Sequence, residues 1–190
     1  MILIQNGRVL DPVTNTDQVL DVLLDENGIL KTGEHLEAEG ADVIDASGLV
    51  VAPGLMDAHV HFRDPGLTYK EDIFTGAAAA ARGGFTTVVC MANTKPTVDN
   101  VEILNQVQEK GEKALIHVLQ AAAISKGLKG EELTDMEALA EAGAAGFTDD
   151  GIPLMDEKLI VAAMEKAKEL GLPLAFHEED PALMSEPGVH

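Results

Sequence analysis

From Pro53 onward, short apolar runs alternate with helical stripes, and this alternation limits the possible folds more than any other feature of the chain. It is the pattern of a parallel sheet whose crossovers are helices. The apolar runs are residues 55–62, 86–91, 114–119, 144–148 and 174–177. Ile73, Phe74, Ala77, Ala78 and Ala81 form the first helical stripe, and Val101, Leu104 and Val107 the second. Ile160, Ala163, Met164, Ala167 and Leu170 form the last. Thr68 with Glu71 and Thr134 with Glu137 fit the Thr-x-x-Glu capping box, so helices are expected to start at both places. Asp156 is the expected N-cap of the final helix, which Gly171 and Pro173 end.

Residues 53–190 therefore supply five strands and four helices in order. A complete (β/α)8 barrel takes about 250 residues. The expected fold class is α/β, the first half of a (β/α)8 TIM-type barrel. An open half would leave buried-type strands as bare edges, so a longer chain or a second chain is expected to complete it.

Residues 1–52 have a different texture, read as a small β-sandwich subdomain. Asn6-Gly7 between Ile2-Leu3-Ile4 and Arg8-Val9-Leu10 predicts a hairpin. Glu26-Asn27-Gly28 predicts a second, and Val43-Ile44 with Leu49-Val50-Val51 supplies a further pair of runs.

Composition excludes some partners. A net charge of −20 argues against nucleic acid and anionic membrane surfaces, both of which require a basic footprint. Hydrophobic residues make up 46% but aromatics only 3%, so the core must be built from aliphatic side chains. Cys90 is the one cysteine, which fits a reducing compartment. Residues 1–7 lack the basic start and length of a signal peptide, so a cytoplasmic location is expected.

The chemistry gathers at the ends of the runs. His59 and His61 flank Val60, and in an extended strand they share a face. Arg63 follows them. Asn93 follows the second run, Asp149-Asp150-Gly151 the fourth, and His177 ends the fifth. In parallel α/β barrels, chemistry sits at the carboxyl ends of the strands. Histidines and a carboxylate from separate strands suit Zn²⁺ or a similar divalent ion. Taken singly, Asp149-Asp150-Gly151 is also a turn sequence, and Glu178-Glu179-Asp180 reads as a solvated run. His117, inside the third run, is read as structural, as is His35 in its acidic loop.

These residues carry a resemblance. Pro53-Gly54-Leu55-Met56-Asp57-Ala58-His59-Val60-His61-Phe62-Arg63-Asp64-Pro65-Gly66 resembles the bacterial dihydroorotases of the amidohydrolase superfamily, the class with His-x-His-Phe-Arg-x-Pro-Gly. Ala80–Thr87, Asn93-Thr94-Lys95-Pro96 and Gly146–Gly151 extend the match. The resemblance implies that His59, His61, Asp150 and His177 bind one or two zinc ions. It implies that Arg63 and Asn93 hold a substrate carboxylate, a role that suits a guanidinium fork. The implied reaction is reversible cyclisation of N-carbamoyl-L-aspartate to L-dihydroorotate in pyrimidine synthesis. A homo-oligomer is expected, as is possible contact with an aspartate transcarbamoylase.

The family takes a further metal-binding His from a later strand and its proton-transferring Asp from after strand eight. Neither is located within residues 1–190, and His190 is not assigned to the site. This segment alone is thus expected to hold no catalytic residue and to be inactive. Met91-Ala92-Asn93-Thr94 also departs from the Met-Pro-Asn-Thr of many relatives. Two rival readings remain at this point. A hydantoinase or allantoinase would commonly carry a carboxylated Lys where Thr148-Asp149-Asp150-Gly151 stands, and the next Lys is Lys158. A non-catalytic subunit supporting aspartate transcarbamoylase would show lost metal ligands.

Overall fold

In a computed structural model the chain divides into two compact units, one ending at Gly54 and the other beginning at Leu55. The structure describes residues 1–183, and His190 lies outside them. No helix among the described residues is long and apolar enough to cross a membrane.

The first unit contains β1 (Ile2–Asp11), β2 (Thr16–Asp25), β3 (Gly28–Gly33), β4 (Asp42–Asp45) and β5 (Val50–Val51). Among the described residues these strands form one mixed sheet. β1, β2 and β3 are antiparallel neighbours, while β4 and β5 pair in parallel with successive stretches of β1. The expected hairpin at Asn6-Gly7 is absent, because β1 runs straight through it. Asn6 takes a left-handed φ of 62° in a bulge, where the register with β2 slips between Ile4 and Gly7. Its N–H donates to the buried Asp21 carboxylate at 2.8 Å. The left-handed preference of Asn thus serves a bulge here rather than a turn. The chain reverses instead after Asp11, whose carboxylate accepts from the Val13 N–H and the Thr14 hydroxyl. The turn at Glu26-Asn27 forms as the sequence predicts.

The second unit alternates β6 (Leu55–Val60), α1 (Ile73–Arg82), β7 (Phe85–Cys90), α2 (Val101–Gly111) and β8 (His117–Gln120). It continues through α3 (Met136–Glu141), β9 (Phe147–Thr148), α4 (Glu157–Leu170) and β10 (Leu174–Ala175). β6, β7 and β8 pair in parallel, as do β9 and β10. A parallel bridge from Ala122 to Phe147 links the two groups, so spatial order follows chain order. Apolar side chains fill the space between strands and helices, with Ile73, Val88, Leu104, Ile124 and Phe147 at most 1% exposed. α1 sits very close to the sheet. A Cβ on Gly76 would lie 2.5 Å from the Phe62 ring.

Helix starts differ from both expected capping boxes. α1 is capped by Asp72, whose carboxylate accepts from the Phe74 and Thr75 N–H groups at 2.9 Å, and not by Thr68. α3 is capped by Asp135, while the Thr134 hydroxyl donates to the Ala123 carbonyl. In both, an Asp nearer the first helical turn takes the orphan N–H groups. α4 starts at Asp156 and ends at Gly171, left-handed at φ 68°.

Cys90 lies inside this core, and burial, with the Asp64 charge adding, pushes its thiol up to about 12. A thiol that high is protonated at neutral pH, and only the thiolate is a nucleophile. Native protein should therefore resist iodoacetamide at about pH 8. Denatured protein should take up one equivalent, as mass spectrometry would show.

Candidate metal centre

The parallel arrangement sets where chemistry can collect. β6, β7, β9 and β10 carry His59 and His61, Asn93, Asp150 and His177 at or just beyond their carboxyl ends. His59 lies within β6 and His61 one residue past it, so Val60 and Phe62 turn into packing while the two imidazoles share a face. Their rings meet edge to face, with centroids 5.1 Å apart. The Asp57 carboxylate accepts the His59 N–H at 3.0 Å.

The two aspartates after β9 point opposite ways. Asp149 is 1% exposed. It accepts from the N–H groups of Ile124 (2.8 Å) and Ser125 (3.0 Å), and from the Ser125 hydroxyl. Burial raises its pKa, and the Ser125 and Ile124 donors oppose that rise. Asp149 thereby ties the end of β9 to the buried segment after β8. Asp150 turns to the rim, its N–H donating to the Thr148 hydroxyl at 3.0 Å.

Asp150 meets all three histidines. Its Oδ1 lies 3.5 Å from His59 Nε2 and 3.7 Å from His177 Nδ1, and its Oδ2 lies 3.4 Å from His61 Nε2. Two ligands held about 2.0–2.1 Å from a tetrahedral zinc are separated by roughly 3.3 Å, so the spacing leaves room for an ion between donors. One ligand atom each from His59, His61 and Asp150 lies within 4.8 Å of the other two. His177 is not part of that mutual set, and of the other three candidates it approaches the Asp150 carboxylate. The four candidates therefore do not converge on one point. The carboxylate stands between a histidine pair and a third histidine.

Asn93, expected to hold a substrate carboxylate, sits beside the ligand candidates. Its Oδ1 is 3.0 Å from His61 Nδ1, and its Nδ2 donates to Asp150 Oδ2 at 3.1 Å. Arg63 is half-buried in the loop after β6, at φ 59°, and among the described residues its guanidinium has no hydrogen bond or ion pair with protein. The neighbouring Asp64 is buried and bound to Lys110 Nζ at 2.6 Å, which fastens that loop to α2.

Glu179, read from sequence as part of a solvated run, bonds His177 Nε2 at 3.1 Å. A tight turn, in which the Glu179 N–H donates to the His177 carbonyl at 2.9 Å, brings the two side chains together. His117 opens β8 at the end opposite the rim and is exposed.

The architecture defines a class. It is a mixed α/β fold shared with hydantoinase structures, among them a D-hydantoinase that superposes with a TM-score of 0.75 at 29% identity, over 94% of this chain and 40% of that one. The L-hydantoinase (dihydropyrimidinase) structure from Arthrobacter aurescens superposes with a TM-score of 0.80 at 19% identity, over 96% of this chain and 41% of that one. The family model described as dihydro-orotase-like matches residues 48–190, and the chain belongs to that family. A dihydroorotase of Clostridioides difficile (strain 630) is 63% identical over 191 residues, covering all of this chain and 45% of that protein. One from Clostridium acetobutylicum is 54% identical with the same coverage. The chain thus spans somewhat under half the length of the curated relatives it matches.

Asp149→Ala and Asp150→Ala should separate structural from binding roles. Removing the Asp149 carboxylate strands buried donors, each costing about 1–3 kcal/mol. Urea unfolding should show a loss of about 3 kcal/mol or more for Asp149→Ala. Asp150→Ala should stay within about 1 kcal/mol of wild type.

Proposed function

We propose that this chain carries the metal-binding part of a zinc-dependent dihydroorotase, which interconverts N-carbamoyl-L-aspartate and L-dihydroorotate in pyrimidine synthesis. The observation that carries this reading is the Asp150 carboxylate set 3.4–3.5 Å from the His59 and His61 Nε2 atoms. Three neutral imidazoles and one carboxylate are a donor set suited to zinc. Asp150 lies between the His59–His61 pair and His177, which favours a shared carboxylate and room for a second ion. When bound, zinc supplies Lewis acidity at the ring amide.

The chain's own residues supply orientation. Arg63, with no protein partner among the described residues, is placed to take a substrate carboxylate through two parallel N–H···O bonds. Asn93 is assigned a share of that task on the family resemblance. Proton transfer is assigned to no residue of this segment. The larger architecture is the first half of a (β/α)8 barrel over residues 53–190. Before it, residues 1–52 form one layer of a small β-sandwich. The apolar groove lined by Ile4, Leu10, Leu20, Val22 and Ile29 supports the sandwich, since a second layer would cover it. The buried free thiol of Cys90 fits a reducing cytosol. Homo-oligomerisation and contact with an aspartate transcarbamoylase rest on the resemblance alone.

The hydantoinase-like fold keeps one rival in view, a ring-opening enzyme for hydantoins. No lysine occurs at residues 148–151, where a carboxylated one would stand, and Asp150 occupies the space between the histidines. The test uses the full-length gene product, stripped with chelator and reloaded with zinc. It should open dihydroorotate, and His59→Ala should abolish both zinc binding and turnover. Residues 1–190 alone should be inactive. Hydantoin opening without dihydroorotate turnover would select the rival, and zinc binding with neither activity would select a non-catalytic subunit.

A further inference from the structure

The proposed site leaves one question of orientation open. A neutral imidazole carries its proton on Nδ1 or Nε2, and only the bare nitrogen can bind a metal. The two atoms of the Asn93 amide answer it for His61. Nδ2 faces Asp150, 3.1 Å from Oδ2 and 3.3 Å from the Asp150 carbonyl. Both of those partners are acceptors, so the amide must present its NH₂ there. The reversed amide would set its oxygen against a carboxylate and a carbonyl. Oδ1 is therefore the atom 3.0 Å from His61 Nδ1, and an acceptor in that place requires a proton on Nδ1. The lone pair is left on Nε2, the nitrogen 3.4 Å from Asp150 Oδ2.

We propose that Asn93 is a positioning residue that sets the His61 tautomer, holding it as Nδ1–H so that Nε2 is bare toward the metal. This rests on the metal site proposed above and adds a task to the substrate contact that the family resemblance implies.

The surroundings hold Asn93 in place. Gly151, left-handed at φ 86°, passes so close that a Cβ there would lie 3.4 Å from Asn93 Nδ2. The chain just before Asn93 is pinned by Gln120, 1% exposed, whose Nε2 donates to the Cys90 and Met91 carbonyls at 3.1 and 3.3 Å. The Thr94 hydroxyl donates to the Pro96 carbonyl at 2.6 Å. Core contacts thus hold the backbone on either side of Asn93, and the amide itself is oriented by His61 and Asp150.

The experiment is NMR on full-length protein with ¹⁵N-labelled histidine, stripped of metal and held above the histidine titration range. Two-bond ¹⁵N–¹H correlations distinguish the tautomers, and His61→Gln identifies the resonance. Wild type and Asn93→Asp, which keeps an acceptor, should show His61 as Nδ1–H. Asn93→Ala should move it toward Nε2–H. Zinc affinity, measured by chelator competition, should fall about 10–100-fold in Asn93→Ala. A wild-type His61 in the Nε2–H form overturns the proposal, and that spectrum decides even if no variant folds. So does an Asn93→Ala protein with tautomer and affinity both unchanged. Wild type that shows Nδ1–H but takes up no zinc overturns the metal site instead.

Discussion

Parallel hydrogen bonding brings the carboxyl ends of neighbouring strands to one rim, and everything else in the second unit depends on that. β6, β7, β8, β9 and β10 follow one another across the sheet in chain order. Residues more than a hundred positions apart, such as His59 and His177, can then face the same carboxylate. The pairing is sparse in its second half, where β9 and β10 share only two pairs of residues. Side chains reinforce it there. Asp149 clamps the end of β9 to Ile124 and Ser125, and Asp150 can face the rim because its neighbour is held on the other side.

Much of this was legible in the sequence. The change of texture at Pro53 marks the start of the alternation, and five apolar runs correspond to five strands, although every strand except β7 is shorter than its run. Apolar residues continue past the paired segments, so hydrophobicity overstates strand length. The misreadings share a cause. Asn6-Gly7 and the two Thr-x-x-Glu patterns are local signals with more than one use. Asn6 serves a bulge because β1 is wide enough to pair with β2 on both sides of it. Asp72 and Asp135 displaced the threonines as caps because they stand next to the first helical residue.

At the site, His59 and His61 could be read from period-two spacing alone. The choice between Asp149 and Asp150 could not, since adjacent residues of an extended segment face opposite sides and nothing local says which side is inside. Asn93 and Glu179 show a further limit. A polar residue beside a metal ligand is visible in sequence only when it is near that ligand in the chain. Glu179 is two residues from its histidine, whereas Asn93 is 32 residues from His61 and 57 from Asp150.

The contact between Gly76 and Phe62 links helix packing to the rim. Phe62 is the residue after His61, and its ring lies where any side chain at position 76 would be. A side chain at position 76 would therefore have to displace either the ring or the helix. Side-chain volume at a buried helix position thus bears on the residue next to His61, one of the candidate ligands.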